Sequence, residues 1–173
     1  MSEELFPIVD EAGNVLDCAT RKECHSGSML LHPVVHLHLV DRAGRLLLQR
    51  RSANKDIQPG KWDTSVGGHV DFGEDVFSAL LREAREELGI DASKARHIES
   101  YVFKSSVERE LVNTFMLVVE HPDELALKVD PAEIDETKFW SADEIEQAKE
   151  SGQLTQNFLL EYEKIYPAIK SKL

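Results

Sequence analysis

The stretch Gly67-Gly-His-Val-Asp-Phe-Gly-Glu74 runs directly into Asp75-Val-Phe-Ser-Ala-Leu-Leu-Arg-Glu-Ala-Arg-Glu-Glu-Leu-Gly-Ile90, a glycine-rich loop opening into a helix. From Asp75 to Leu88 the apolar residues recur with helical period, and Gly89 supplies a C-terminal cap. With Phe77 at zero and about 100° per residue, Leu80, Leu81, Ala84 and Leu88 fall within about 60° of it, a stripe for the core. Glu83, Glu86 and Glu87 fall within a sector of about 100° on the other side. Glu83 is a like-charge neighbour of both Glu86 and Glu87, each pair costing an isolated helix roughly 0.2–0.5 kcal/mol. Glu86 and Glu87 also sit near the negative end of the helix dipole. A hard divalent cation relieves both penalties, because it gathers several carboxylates and keeps positions for phosphate oxygens. The plainer reading is a solvated charged face damped by Arg82 and Arg85. The small residues of 67–73 let backbone groups approach a ligand, and Glu74 is spaced to fold back onto Arg82.

Outward from this stretch the pattern is mostly strands. In Val34-Val-His-Leu-His-Leu-Val40 the period is two, with Val35, Leu37 and Leu39 on one face and His36 and His38, read as structural, on the other. Asp41-Arg-Ala-Gly44 turns into a second strand over 45–51, and 57–60 is a loop stiffened by Pro59. Residues 67–73 read as loop. Further strands are expected over 98–104 and 107–120, the second long enough to bend or bulge. Phe6 to Val9 and Val15 to Ala19 flank a turn and predict an N-terminal hairpin within residues 1–30. Ser141-Ala-Asp-Glu144 is a capping box that starts a short helix ending near Gly152. Phe158, Leu159, Tyr162, Ile165, Tyr166 and Ile169 predict a last helix that Pro167 kinks or interrupts, so 141–173 is helical. This order of strands, central helix, strands and terminal helices is an α+β architecture around one core, a single domain over 1–173.

The 173 residues carry 20 Lys and Arg against 32 Asp and Glu, a formal charge of −12, which argues against non-specific binding to nucleic-acid polymers or to an anionic membrane. At this length a chain buries enough surface to need neither disulfide nor structural metal. Cys18 and Cys24 form no zinc or disulfide framework. The acidic start MSEELFPIVDE has no apolar signal-peptide core, and no apolar run reaches the ~20 residues of a membrane span, so a cytoplasmic location is expected.

Gly68, Glu74 and Arg82-Glu83-Ala84-Arg85-Glu86-Glu87-Leu88-Gly89-Ile90 match the Nudix box, here residues 67–90, at every fixed position. Ala84 stands where a larger aliphatic residue is usual, a matter of packing. The resemblance implies a Nudix fold, a mixed β-sheet sandwiched between α-helices, and Nudix hydrolase chemistry: pyrophosphatase-type cleavage of a phosphoanhydride in a nucleoside diphosphate linked to another group. By resemblance Glu83, Glu86 and Glu87, with the Gly67 carbonyl, bind one to three magnesium (Mg²⁺) or Mn²⁺ ions, and Glu74 orients the helix through Arg82. The catalytic base is Glu86 by preference, or Glu108 or Glu110.

Beyond the box, the chain resembles type I isopentenyl-diphosphate isomerase and its related hydrolases, from the hairpin to about Phe115. Arg21 matches an early basic residue, and Arg51 and Lys55 a diphosphate-binding pair. His25, His32, His69, Glu108 and Glu110 match a second metal site, and Glu110 also a proton-handling residue. The isomerase's catalytic cysteine falls at Gly67, which has no side chain to move a proton, and Thr155-Gln-Asn-Phe158 lacks its tryptophan. The box glutamates that the isomerase loses are complete here. The resemblance therefore favours hydrolase over isomerase, acting on a small-molecule diphosphate, with Trp62, Phe103 or Phe72 available to pack on a base. A homodimer is the common arrangement.

Overall fold

The computed structural model describes residues 2–173. Strand β3 (Leu31–Asp41) is its axis, pairing in parallel along its whole length with β8 (Arg109–Val119), from Leu31 opposite Arg109 to Asp41 opposite Val119. On its other edge β3 takes β6 (Val66–His69) antiparallel, and its far end meets β4 (Leu46–Arg51) at Val40 and Leu46. Strands β5 (Trp62–Asp63) and β9 (Ile134–Trp140) pair with β4, and β7 (Arg96–Lys104) closes the edge against β8. A separate hairpin of β1 (Leu5–Val9) and β2 (Val15–Thr20) leads into the short helix α1 (Arg21–Cys24).

The period of two divides two cores. Val35, Leu37, Leu39 and Leu47 meet Leu80, Ala84 and Leu88 of α2 (Val76–Leu88) on one face. Val40, Leu46 and Leu48 meet Ile145 of α3 (Ala142–Ala148) and Phe158, Tyr162 and Ile165 of α4 (Gln156–Ser171) on the other. This is the expected mixed sheet between helices.

Four local expectations change. Residues 67–69 of the expected 67–73 loop are in strand β6, because the two glycines pair extended with Val35 and His36. Helix α4 runs through Pro167 uninterrupted, its last turn held by buried Ile165 and Ile169. The strand irregularity lies in β7, between His97 and Glu99, and not in β8. The buried stripe of α2 is Ala79, Leu80, Ala84 and Leu88, while Phe77 is 38% exposed. That stripe is rotated because α2 packs against β6, which brings Glu83 and Glu87 to its margin and leaves Glu86 outside.

Asp75 caps α2 by accepting from Ser78 N at 2.9 Å, and Gly89 ends it at φ 67°. A Cβ on Gly89 would lie 2.8 Å from Lys128 Cβ. Gly89→Ala is expected to lose at least ~1–2 kcal/mol from backbone strain alone, read as a lowered denaturant midpoint.

Candidate active site

Loop and helix are tied by Arg82. Its guanidinium forks onto Glu74, Nε to Oε1 at 2.9 Å and Nη2 to Oε2 at 3.0 Å, and Nη2 also reaches the His69 carbonyl at 3.0 Å. Nη1 donates to Glu83 at 2.8 Å and to Glu86 at 3.3 Å. The Glu74 hydrogen bonds raise the Arg82 pKa further, despite burial. Burial pushes the Glu74 carboxyl up, but the Arg82 guanidinium and the Asp71 N–H together hold it below its usual range. These bonds join the loop before the helix to its glutamate face.

Gly68 makes room for Glu83: a Cβ there would stand 2.1 Å from Glu83 Cδ. Glu87 Oε2 accepts from Gln49 Nε2 at 3.1 Å and from Gly67 N at 3.3 Å. Burial, and then the Glu83 charge, push the Glu87 carboxyl up to about 8. Glu83 is also raised, chiefly by burial, whereas the Glu86 side chain is 60% exposed. Crowded, partly desolvated carboxylates with raised pKa values fit a divalent cation, which supplies the missing positive charge. A pH dependence follows. Between about 4.5 and 8 the unfolded Glu87 is ionised while the folded one keeps its proton, so metal-free stability falls as pH rises. Thermal melts should show this fall, and added Mg²⁺ should flatten it.

The predicted second set also converges. Ligand atoms of His25, His32 and His69 lie within 4.8 Å of one another, as do those of His32, Glu108 and Glu110. His32 Nδ1 donates to the Leu30 carbonyl at 3.0 Å, and its Nε2 is buried without a hydrogen-bond partner. That is the free lone pair a metal takes when the other ring nitrogen is fixed. His25 Nε2 and His69 Nε2 face each other at 3.2 Å, and His25 Nδ1 meets Glu108. Burial holds His32 below its usual pKa, and burial first, then neighbouring cations, pulls His69 down to about 2, so both rings are neutral. Burial and then Glu108 push Glu110 up to about 7. Buried Phe6 of β1 stacks on His69 with ring centroids 4.4 Å apart, and on His32 at 5.7 Å. The hairpin thus orients the imidazoles, a role its sequence pattern did not signal.

A cleft of about 610 Å³ joins the two sets, with Arg21, Arg51, Lys55, Gly67, Glu86 and Glu110 in its wall. Its cations are engaged: Arg51 Nη1 lies 3.6 Å from Asp63, Lys55 meets Glu133, and exposed Arg21 lies 3.4 Å from Glu4. Asp63, Glu133 and Gln49 line the cleft as well, although the sequence reading assigned them no role. The aromatic expectation needs correction: Trp62 is 8% exposed and packs edge-on against Trp140 in the core, so it offers no face to a base. Phe72 lines a separate, apolar cavity beside the hairpin. Phe103 lines a smaller one, about 280 Å³, that shares His36, Glu110 and Asn157 with the cleft.

The family model described as "NUDIX domain" matches residues 30–160. The chain belongs to the Nudix family. It is 31% identical over 172 residues to an isopentenyl-diphosphate Delta-isomerase of Streptomyces griseus, covering 96% of this chain and 85% of that one. It is 33% identical over 142 residues to an uncharacterized Nudix hydrolase of Yersinia pestis, covering 82% of this chain and 75% of that one. Among solved structures, DR0079 of Deinococcus radiodurans superposes with a TM-score of 0.75 at 25% identity, covering 91% of this chain and 96% of that one. A MutT Nudix hydrolase of Burkholderia pseudomallei gives 0.62 at 24% identity over 77% and 96%, a likeness of fold. The Nudix relatives thus include both hydrolases and isomerases. Among the described residues, no helix is long and apolar enough to cross a membrane.

Proposed function

We propose that this Nudix protein is a metal-dependent hydrolase that cleaves a phosphoanhydride bond in a nucleoside diphosphate linked to another group. The observation that carries this reading is the complete set Glu83, Glu86 and Glu87 on the cleft wall, beside a Gly67 that has no side chain. Mg²⁺ or Mn²⁺ held by these glutamates and the Gly67 carbonyl would supply charge neutralisation to the diphosphate. Glu86, the most exposed of the three, orients a water and takes its proton as the water oxygen attacks phosphorus. The anhydride P–O bond breaks, and its electron pair leaves with the departing phosphate. Glu108 or Glu110 is the alternative base. Arg51 and Lys55 exchange Asp63 and Glu133 for the oxygens of the phosphate that is not attacked.

The second reading is isomerisation of isopentenyl diphosphate, supported by the Streptomyces relative and by the His/Glu cluster. It is disfavoured at the atoms that would move protons. Gly67 offers none, and Phe158 is 1% exposed, so its ring does not stand in for the missing tryptophan. Incubating the protein and Mg²⁺ with nucleoside diphosphates, NADH, ADP-ribose and isopentenyl diphosphate tests both. Release of a monophosphate or phosphate is expected; formation of dimethylallyl diphosphate would replace this reading with the second.

A further inference from the structure

Helix α4 carries an anomaly. Phe158, Tyr162 and Ile165 form its apolar face against the sheet, and Glu161, 2% exposed, sits within that face. An isolated carboxylate in such a place is costly. Glu161 is fully partnered: His36 Nδ1 donates to Oε2 at 2.5 Å, Tyr101 Oη donates to the same oxygen at 2.8 Å, and His38 Nε2 lies 2.7 Å from Oε1. An apolar residue would pack as well; what a carboxylate adds is fixed orientation of the groups around it.

Those groups differ in what they face. The His38 side chain is 1% exposed and ends inside the protein. The His36 side chain is 21% exposed and stands in the wall of the cleft. A Cβ on Gly67 would lie 3.4 Å from His36 Cδ2 and 3.7 Å from Nε2, whereas a Cβ on Gly68 would strike Glu83. The two glycines of β6 therefore leave openings toward His36 and toward the α2 glutamates. The counter-ions of Arg51 and Lys55, Asp63 and Glu133, lie in the cleft themselves. The carboxylate of His36 lies behind its ring, so the Nε2 edge stays free for a ligand.

We infer that His36 contacts the substrate's diphosphate through Nε2, across β6 from the α2 glutamates, and that Glu161 is its positioning residue. This rests on reading the cleft as a diphosphate site and assigns that site a contact from the sheet. The test uses the full chain with Mg²⁺ and methylenediphosphonate, a diphosphate mimic that is not hydrolysed, so it does not depend on turnover. In protein labelled with ¹⁵N-histidine, saturation should shift the His36 Nε2 resonance. By calorimetry, His36→Gln should weaken binding by about 10- to 100-fold, the range of a hydrogen bond to a charged group. Glu161→Gln should act in the same direction. His38→Gln, which alters a ring on the same carboxylate but outside the cleft, should stay within about twofold. Absence of binding, saturation without a His36 shift, or equal losses in the His36 and His38 variants would overturn the inference. If Glu161→Gln fails to fold, the more exposed His36→Gln still decides it. Failure of the hydrolase reading registers separately, as no phosphate release by the wild type while the His36 shift persists.

Discussion

Glu87→Gln is expected to lower metal-dependent turnover by roughly 10³-fold, several kcal/mol of transition-state stabilisation, while the metal-free protein becomes more stable at pH 8. The two effects have one cause. Burial and the neighbouring Glu83 push the Glu87 carboxyl up to about 8, so its ionised form is unwelcome until a cation arrives. The amide of glutamine has nearly the same shape, and its oxygen can accept from Gly67 N and Gln49 Nε2 as the carboxylate does. What the substitution removes is the negative charge that would bind metal. A site held at the expense of folding stability shows this opposite response. Melting curves without metal, beside initial rates with Mg²⁺, measure both halves. A variant that kept full rate would remove Glu87 from the site.

Gly68→Ala should lower turnover by about 100-fold or more without unfolding the protein. The added Cβ would overlap the Glu83 side chain, 2.1 Å from Cδ and 2.5 Å from Cγ, so Glu83 must move and the β6 backbone need not. A displacement of about 1 Å in a catalytic group costs on this order. Glu83 would also leave its 2.8 Å contact with Arg82. A nearly unchanged melting temperature together with the lost rate would place the effect in the site; unchanged rate would mean that Glu83 tolerates displacement.

Much of this was legible before the structure because it follows from short-range rules. The alternation over Val34–Val40 decided which side chains face α2, and Asp75 and Gly89 marked the ends of that helix. The Nudix box pointed to Gly67 and the α2 glutamates, the isomerase resemblance to Arg51, Lys55 and both acids of the 108–110 segment, and all of them line one cleft. The misses have physical reasons. Strand β9 hid because only its ends, Ile134 and Trp140, are buried, with charged residues between them. The exact face of α2 depended on β6, a pairing across more than ten residues that helical periodicity cannot register. Trp62 read as available because sequence does not show that Trp140 covers it. Glu161 did leave a trace, a charge within an apolar helical stripe, but its partners on β3 and β7 are far away in sequence. Phe6 looked like any hairpin residue until its ring was found on His69.

The hydrolase and isomerase readings differ in where solvent atoms end up, and one incubation in D₂¹⁸O with Mg²⁺, analysed by mass spectrometry, follows both. A panel of nucleoside diphosphate derivatives together with isopentenyl diphosphate is the substrate. The predicted result is ¹⁸O in a newly released phosphate or monophosphate, lost in Glu87→Gln. Deuterium on carbon in dimethylallyl diphosphate, with no ¹⁸O in any phosphate product, would contradict the account.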